Sequence, residues 1–478
     1  MAAALMLPAL VAVRNAEVPT AEAQGAGPAL CSGIQLQNTN SSQSASVQML
    51  FYRVGGNDGI ADATITDTLG PNGSKSYYLP NVLPSGTPDG QYSVVTNADQ
   101  ALNALVQQVT CPGSAPSVAA SFSGVGSADT GTLVILPYVL SRAFPTAGNF
   151  SSFIAIQNAG TAPASNIQIQ FFPRGSGTPV ETFTNNNLAV GETWYLNLRS
   201  GAFATAALNG FAGSARVTSD QPVAAVVNYS PASNTSLLSY NGTRTSGTTL
   251  FAPQATKAYF GFTSGFTVVN LSSTATTIRY RLVGSVGGTP VTIPPIDRPL
   301  GANDTDVFYL GNPDAAAVPN NFNGTAIISI APGAPSVQLT GIANLAIADP
   351  TVGAAAGAMN LIPASQGATR IYFPQMSKQF FGFTSGWQLV DTTGSGAAGT
   401  ARYFQVNPDG SVTQIYSEPF TVQANGSITR FLGNVGPLPA GFNGGVVVEL
   451  TSGQVAGQGN YNGTGTGDVL TVYNGFPG

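Results

Sequence analysis

Residues 154–172 read IAIQNAGTAPASNIQIQFF, and the fold follows from this stretch. Ile154-Ala-Ile-Gln-Asn158 is a short, mostly apolar run closed by an asparagine. After a polar turn, Ile167-Gln-Ile-Gln-Phe-Phe172 alternates apolar with polar residues. That period of two marks a β-strand with one face in a core and the other in water. The pair returns three more times. The first strands are Ile34-Gln-Leu-Gln-Asn38, Phe266-Thr-Val-Val-Asn270 and Trp387-Gln-Leu-Val-Asp391. The second are Val47-Gln-Met-Leu-Phe-Tyr52, Ile278-Arg-Tyr-Arg-Leu-Val283 and Ala401-Arg-Tyr-Phe-Gln-Val406. The spacing is about 110–120 residues, an ordinary domain size and far longer than a solenoid repeat.

Working outward, each second strand meets a glycine-rich reversal: Gly55-Gly-Asn-Asp-Gly59, Arg174-Gly-Ser-Gly177, Gly284-Ser-Val-Gly-Gly288 or Asn407-Pro-Asp-Gly410. Asp-Gly and Gly-Gly supply the positive φ angles of tight hairpins. Further strands recur near Tyr77-Tyr78-Leu79, Trp194-Tyr195-Leu196, Phe308-Tyr309-Leu310 and Phe431-Leu432. Gly-led strands then begin at Gly90, Gly213, Gly324 and Gly444. Several short strands per hundred residues, with turns at regular spacing, predict an all-β chain of four tandem immunoglobulin-like β-sandwiches; a closed barrel is the rival architecture. The expected limits are 24–125, 126–247, 248–367 and 368–478, after a leader at 1–23. Three of the units share a lead-in of aromatics, a proline and a cation: Leu136-Pro137-Tyr138 with Arg142-Ala-Phe144, Phe251-Ala-Pro253 with Lys257-Ala-Tyr-Phe-Gly-Phe262, and Tyr372-Phe-Pro374 with Lys378-Gln-Phe-Phe-Gly-Phe383. This head segment is expected to pack against a neighbouring unit. Residues 112–131, rich in Ser, Ala and Gly, read as a flexible joint.

The composition suits such a chain. Of 478 residues, 43% are hydrophobic and only 8% charged, while 57 glycines and 33 prolines punctuate the apolar runs. Apolar content is ample for packed cores, which excludes disorder. The net charge of −5 is spread thinly, and there are three lysines, Lys75, Lys257 and Lys378. Nucleic acid is excluded as a partner, because binding it needs a basic footprint to displace counterions from phosphate. Low charge also weakens repulsion between copies and favours self-association.

Ala2 to Val13 is an apolar stretch of signal-core length, too short to span a bilayer, and Ala21-Glu22-Ala23 is an A-x-A cleavage pattern. We read residues 1–23 as an export leader, although no basic residue separates Met1 from the apolar run. The mature chain is expected to be extracellular or at the cell surface, without a transmembrane segment. In an exported chain the two cysteines, Cys31 and Cys111, are expected to form a disulfide; two buried thiols are the alternative.

Chemistry is sparse. The chain has no histidine, the residue on which triads, most zinc sites and most acid–base schemes lean. Its six glutamates are Glu17, Glu22, Glu181, Glu192, Glu418 and Glu449. They read as single charges on strands and turns rather than a glycosidase-type pair. No catalytic residue, cofactor or metal ligand is assigned. Asn57-Asp58-Gly59 with Asp62, and Asn303-Asp304-Thr305-Asp306, offer oxygen ligands but lack the spacing of a calcium loop. Lys257 and Lys378 match the lysine of an intramolecular isopeptide bond only in part, since Arg142 fills the corresponding place. Sequons for N-glycosylation occur at Asn72, Asn149, Asn228, Asn234, Asn241, Asn270, Asn303, Asn323 and Asn425; they have meaning where the organism glycosylates exported proteins. Trp387 stands at the core position held by Phe266 and is expected to be buried.

The leader, the Leu-Pro-Tyr or Tyr-Phe-Pro lead-ins, the strand ending in Gln-Asn, and Gln221-Pro222-Val223-Ala-Ala-Val-Val-Asn228 together resemble secreted repeat proteins of filamentous Chloroflexus-like bacteria. The resemblance covers units two to four well and unit one loosely. It implies immunoglobulin-like domains in a surface-layer, sheath or fibre component, with no catalytic residue carried over. The expected function is a structural subunit of a filament, sheath or surface layer, joined in part through Val469-Leu-Thr-Val-Tyr473 as a strand added to a neighbour's sheet. The alternative is a monomeric adhesin or carbohydrate-binding protein, for which glycans would be partners.

Overall fold

The structure is a computed structural model that describes residues 29–127, 129–347, 355–407, 411–463, 467–468 and 470–478, and the backbone of residues 3–13. The A-x-A pattern, the Pro408-Asp-Gly410 turn and Val469 lie outside the described residues. The chain is almost entirely β, arranged in seven sheets among the described residues. It divides into two compact units, residues 1–173 with 179–244 and 408–411, and residues 174–178 with 245–407 and 412–478.

One strand order recurs through these sheets. In the first set, a sheet runs Ala63–Leu69, Ala45–Arg53, Gly90–Ala98, Ala3–Val13, Val125–Gly126. Its companion runs Ser74–Tyr78, Leu30–Asn38, Leu102–Thr110, Ala119–Ser123. The last set repeats it: Val412–Val422, Ala397–Val406, Phe442–Ser452, Arg370–Lys378, Phe476–Pro477, beside Ser427–Phe431, Phe383–Asp391, Val455–Gly463, Leu470–Asn474. The sheets built on Thr276–Val286 and Phe262–Asn270 follow the same plan. In the remaining set a single strand, Phe211–Ser230, serves both layers. Its first half pairs with Ile167–Pro173 and Gly131–Ser141, and its second with Ser151–Asn158 and Leu238–Asn241.

The alternating strands behave as their pattern dictates: Thr276–Val286 buries Ile278, Tyr280 and Leu282 and turns Arg281 outward. The strands that precede them do not. Phe262–Asn270 and Phe383–Asp391 are buried on both faces over most of their length. One face enters the sandwich core, where Phe266 and Val268 lie with Leu250 and Ile328, and where Trp387 is 1% exposed as expected. The other face of Phe383–Asp391 meets the adjacent sandwich of the same compact unit. Phe251, Ile327 and Ile362 cluster there with Val390 and Ala456. The Gln388 amide donates to the carbonyls of Pro253 and Gly324, and Gln458 donates to Gln254 at 2.8 Å. The lead-in thus packs against a neighbour through Phe251 and Pro253. The amide nitrogens of Gln388 and Gln458 are paired while their Oε1 atoms accept no hydrogen bond among the described residues; a neutral amide bears that at far less cost than an unpaired buried charge, a physical reason for so few charged residues.

The residue that ends each first strand is a fully buried lock. The Asn158 amide donates to Ala162 and Leu188 carbonyls at 2.9 Å each, and its oxygen accepts the Gly160 N–H. Asn270 does the same with Thr274 and Gly301 carbonyls and the Ser272 N–H. Asn38 pins Gln43 and Gly70. Each lock ties the turn after its own strand to a loop across the sheet.

The expected disulfide is present: Cys31 is bonded to Cys111 across adjacent strands. The C-terminal segment is used within its own sandwich. Leu470–Asn474 pairs with Val455–Gly463, with Leu470, Val472 and Tyr473 buried, and Phe476–Pro477 pairs with Arg370–Lys378. Deleting residues 468–478 would therefore damage the fold, not merely remove a contact. No helix among the described residues is long and apolar enough to cross a membrane.

Candidate functional site: aromatic turns at the head of the sandwiches

Where a lead strand crosses into the second sheet, Phe260 and Phe381, lead-in aromatics expected to pack against a neighbouring unit, lie instead in a solvent-exposed turn. After Thr249–Lys257, Ala258 takes φ +51°, and Phe260 and Gly261 take φ +48° and +81°. Tyr259 and Phe262 exchange both backbone hydrogen bonds, at 3.0 and 2.9 Å. A two-residue turn with positive φ at both centres is the I′ type, which prefers Asn-Gly or Gly-Gly. After Arg370–Lys378 the same turn recurs: Gln379 at +53°, Phe381 at +48° and Gly382 at +81°, with Phe380 and Phe383 bonded reciprocally. In the second set Arg142 and Phe144 adopt +50° and +56°.

Hydroxyl groups hold the geometry. The Ala258 N–H donates to Thr263 Oγ1 at 3.0 Å and the Thr256 N–H to Ser264 Oγ at 2.9 Å. Gln379 and Ser377 do likewise with Thr384 and Ser385, and Arg142 and Leu140 with Ser151 and Ser152. The cation at each lead-in secures the same end. Lys257 Nζ donates to the Ala315 carbonyl, Lys378 Nζ to those of Val435 and Leu438, and Arg142 to those of Ala204 and Thr205. These partners are carbonyl oxygens, which is the geometry of a packed cation.

The turns present aromatic rings to solvent. Phe260 is 79% exposed and Phe381 85%, while Phe144 is 43% exposed. Phe260 lies edge-on to Tyr259 at 4.7 Å between ring centres, and Phe381 to Phe380 at 4.5 Å. A non-glycine residue in the left-handed region costs on the order of 1–2 kcal/mol. A phenylalanine there gains almost no burial in return. The strain at Phe260 and Phe381 is therefore not repaid by packing. The clue in the sequence was the recurrence of Gly-Phe-Thr-Ser-Gly at 261–265 and 382–386, each directly after an aromatic pair.

The other singled-out residues are engaged in local structure. Asp58 accepts the Ile60 N–H and Asp62 the Arg53 N–H. Asp304 accepts the Thr305 N–H, and Asp306 pairs with Arg298 at 2.8 Å and accepts from Tyr280. Among the described residues no group of three or more Cys, Asp or Glu is placed to hold a metal ion. Glu181 accepts from Thr205, Glu418 from Tyr403 and Arg430, and Glu449 pairs with Arg370 and Arg402. Glu192 is buried, which pushes its carboxyl above the usual range. Glu17 and Glu22 lie outside the described residues.

Of the sequon asparagines, Asn72, Asn149, Asn234, Asn303 and Asn425 sit at positive φ, the turn chemistry that generates Asn-Gly and similar pairs. Asn270 and Asn228 are buried with their amide nitrogens committed, Asn228 to Gln108 at 2.9 Å. Asn241 donates to the Ser123 carbonyl, and Asn323 is half-buried.

No family model and no curated protein matches the chain. Among solved structures it is similar to a tetra-tandem repeat in the extending region of a large adhesion protein, at 12% identity over 95% of this chain and 96% of that one, TM-score 0.11. The α-L-rhamnosidase of Streptomyces avermitilis aligns at 10% identity over 90% and 55%, TM-score 0.13, and the full-length major pilin of Streptococcus pneumoniae at 8% over 91% and 88%, TM-score 0.10. Scores this low carry no argument.

Proposed function

We propose that this chain is an exported structural subunit of a bacterial surface assembly, built as four immunoglobulin-like sandwiches with the limits given above, and not an enzyme. The supporting observation is the recurring strand order, in which the lead strand of each later set comes from the segment directly after the preceding one. A chain organised this way extends by adding copies of one unit. Its neutral polar surface lets copies approach one another. Electron microscopy and sizing of residues 24–478 should give ordered filaments or sheets; a stable monomer at all concentrations would overturn this reading.

The exposed rings favour a second reading, adhesion through aromatic contacts to glycans or other ligands. Replacing Phe260 and Phe381 by asparagine puts the preferred residue into each I′ turn. The double variant should gain up to about 1 kcal/mol in stability while losing surface or glycan binding. Full retention of binding on a glycan array would remove the aromatic turns from the adhesive account.

A further inference from the structure

The backbone of Ala3–Val13, the apolar core of the expected leader, lies in the first sandwich as a full strand. It runs antiparallel to Gly90–Ala98, from Ala3 opposite Ala98 to Val13 opposite Gly90, and also touches Val125–Gly126. This is the place taken elsewhere by Gly131–Ser141, Thr249–Lys257 and Arg370–Lys378. The likeness extends to the register. In each lead strand the pairing slips at a proline: between Leu7 and Val11 around Pro8, Leu136 and Val139 around Pro137, Ala252 and Ala255 around Pro253, Phe373 and Met376 around Pro374. Proline has no N–H to give the ladder, so the strand bulges there and resumes.

If residues 1–23 are removed on export, this strand goes with them. Gly90–Ala98 then becomes a nine-residue edge, and it is not built as one. Its sequence, GQYSVVTNA, has neither a charge nor a proline, and Tyr92, Val94 and Thr96 are buried. The outer strand on the hairpin side of each corresponding sheet carries such protection. Ala63–Leu69 holds Asp67, Glu181–Asn185 holds Glu181, Ile296–Leu300 holds Asp297, Arg298 and Pro299, and Val412–Val422 holds Glu418 and Pro419. An unprotected edge of this length recruits another strand.

We infer that the slot beside Gly90–Ala98 is a strand acceptor, filled by the leader segment in the precursor and by a strand of a second copy of this chain after cleavage. The inference rests on the proposed export and assembly. The partner follows from complementarity within the chain. Three of its own segments occupy the equivalent slot in their own sheets, in the same antiparallel sense and with the same proline bulge, so a second copy fills it by exchanging one of them, Gly131–Ser141, out of its own sheet. Backbone hydrogen bonds supply the affinity, and the apolar side chains on one face of the strand supply the register.

The test uses a lysine-tagged peptide of residues 131–141, GTLVILPYVLS, added to chains 24–478 and 1–478. It should bind the shorter chain with one-to-one stoichiometry, at least 100-fold more tightly than the longer one, and should cap its polymers. Equal binding to both chains, or none to the shorter, overturns the acceptor. Mass spectrometry of the exported protein checks the premise separately: retention of residues 3–13 overturns the proposal while leaving self-assembly intact. Hydrogen exchange on natively purified assemblies covers the case in which chain 24–478 does not fold alone. Amides of residues 90–98 should be protected in assemblies and exchange at least 100-fold faster in dissociated subunits. Fast exchange in the assembly, or undiminished protection in a monomer, overturns the second copy as occupant.

Discussion

Asp391→Asn is expected to destabilise the last sandwich by about 4 kcal/mol, although asparagine serves at the corresponding position in the other three sets. Asp391 is fully buried. One oxygen accepts the Thr393 N–H and hydroxyl, and the other accepts the N–H groups of Gly396 and Asn425 at 2.9 and 2.8 Å. Asn158 and Asn270 instead point their amide groups at carbonyls. An amide in place of the second carboxylate oxygen would face two N–H donors and leave both unsatisfied in a buried site. Asn270→Asp should fail for the mirror reason, by setting a carboxylate against two carbonyls. Acid titration gives an independent check. Burial alone would raise the Asp391 carboxyl, but the hydrogen bonds from Asn425, Thr393 and Gly396 outweigh it and hold it below the usual carboxylate range. A depressed folded value contributes stability above the unfolded pKa of about 3.9, which is lost as pH falls through the folded value. Hydrogen exchange of residues 383–431 should show this acid-dependent loss in the native chain but not in the asparagine variant. Unchanged protection in the variant at neutral pH would contradict the assignment.

Replacing Cys31 and Cys111 by alanine should cost the first sandwich about 4 kcal/mol, from the loop-closure entropy of a long cross-link. The two cysteines are 80 residues apart in sequence, and their bond ties the start of Leu30–Asn38 to the residue just after Leu102–Thr110. Most of that sandwich lies inside the closed loop. Exchange protection should fall for residues 30–110 and stay unchanged beyond residue 245, in the other compact unit. A uniform loss along the whole chain would mean that the sandwiches unfold together. No loss at all would mean that the native state gives back in strain what the cross-link takes from the unfolded chain.

Much of this architecture was legible in the residues alone. Alternation in Ile167–Phe172 and Ile278–Val283 and the Gly287-Gly288 turn at φ +58° and +84° are local facts, while the pairing of Cys31 with Cys111, 80 residues apart, was legible because the chain has only 2 cysteines. A strand's period and a turn's φ are set by the residues that form them. The core position of Trp387 could also be read, by setting one repeat against another. The direction of the hydrogen bonds at Asp391 could not, because it depends on how the turn to Gly396 closes and on Asn425, brought in by a loop across the sheet.

The aromatic turns divide in the same way. Phe251 and Phe260 look alike in a list of lead-in aromatics, yet one is 4% and the other 79% exposed. Burial on the second face of Phe383–Asp391, and the choice of Gln388 to reach the Pro253 carbonyl, depend on a neighbouring sandwich more than a hundred residues away. Local chemistry specifies strands, turns and the repeat, since φ, ψ and side-chain alternation are properties of a few adjacent residues. Which face becomes an interface, and which ring stays in water, is settled by surfaces contributed from residues far apart in the chain.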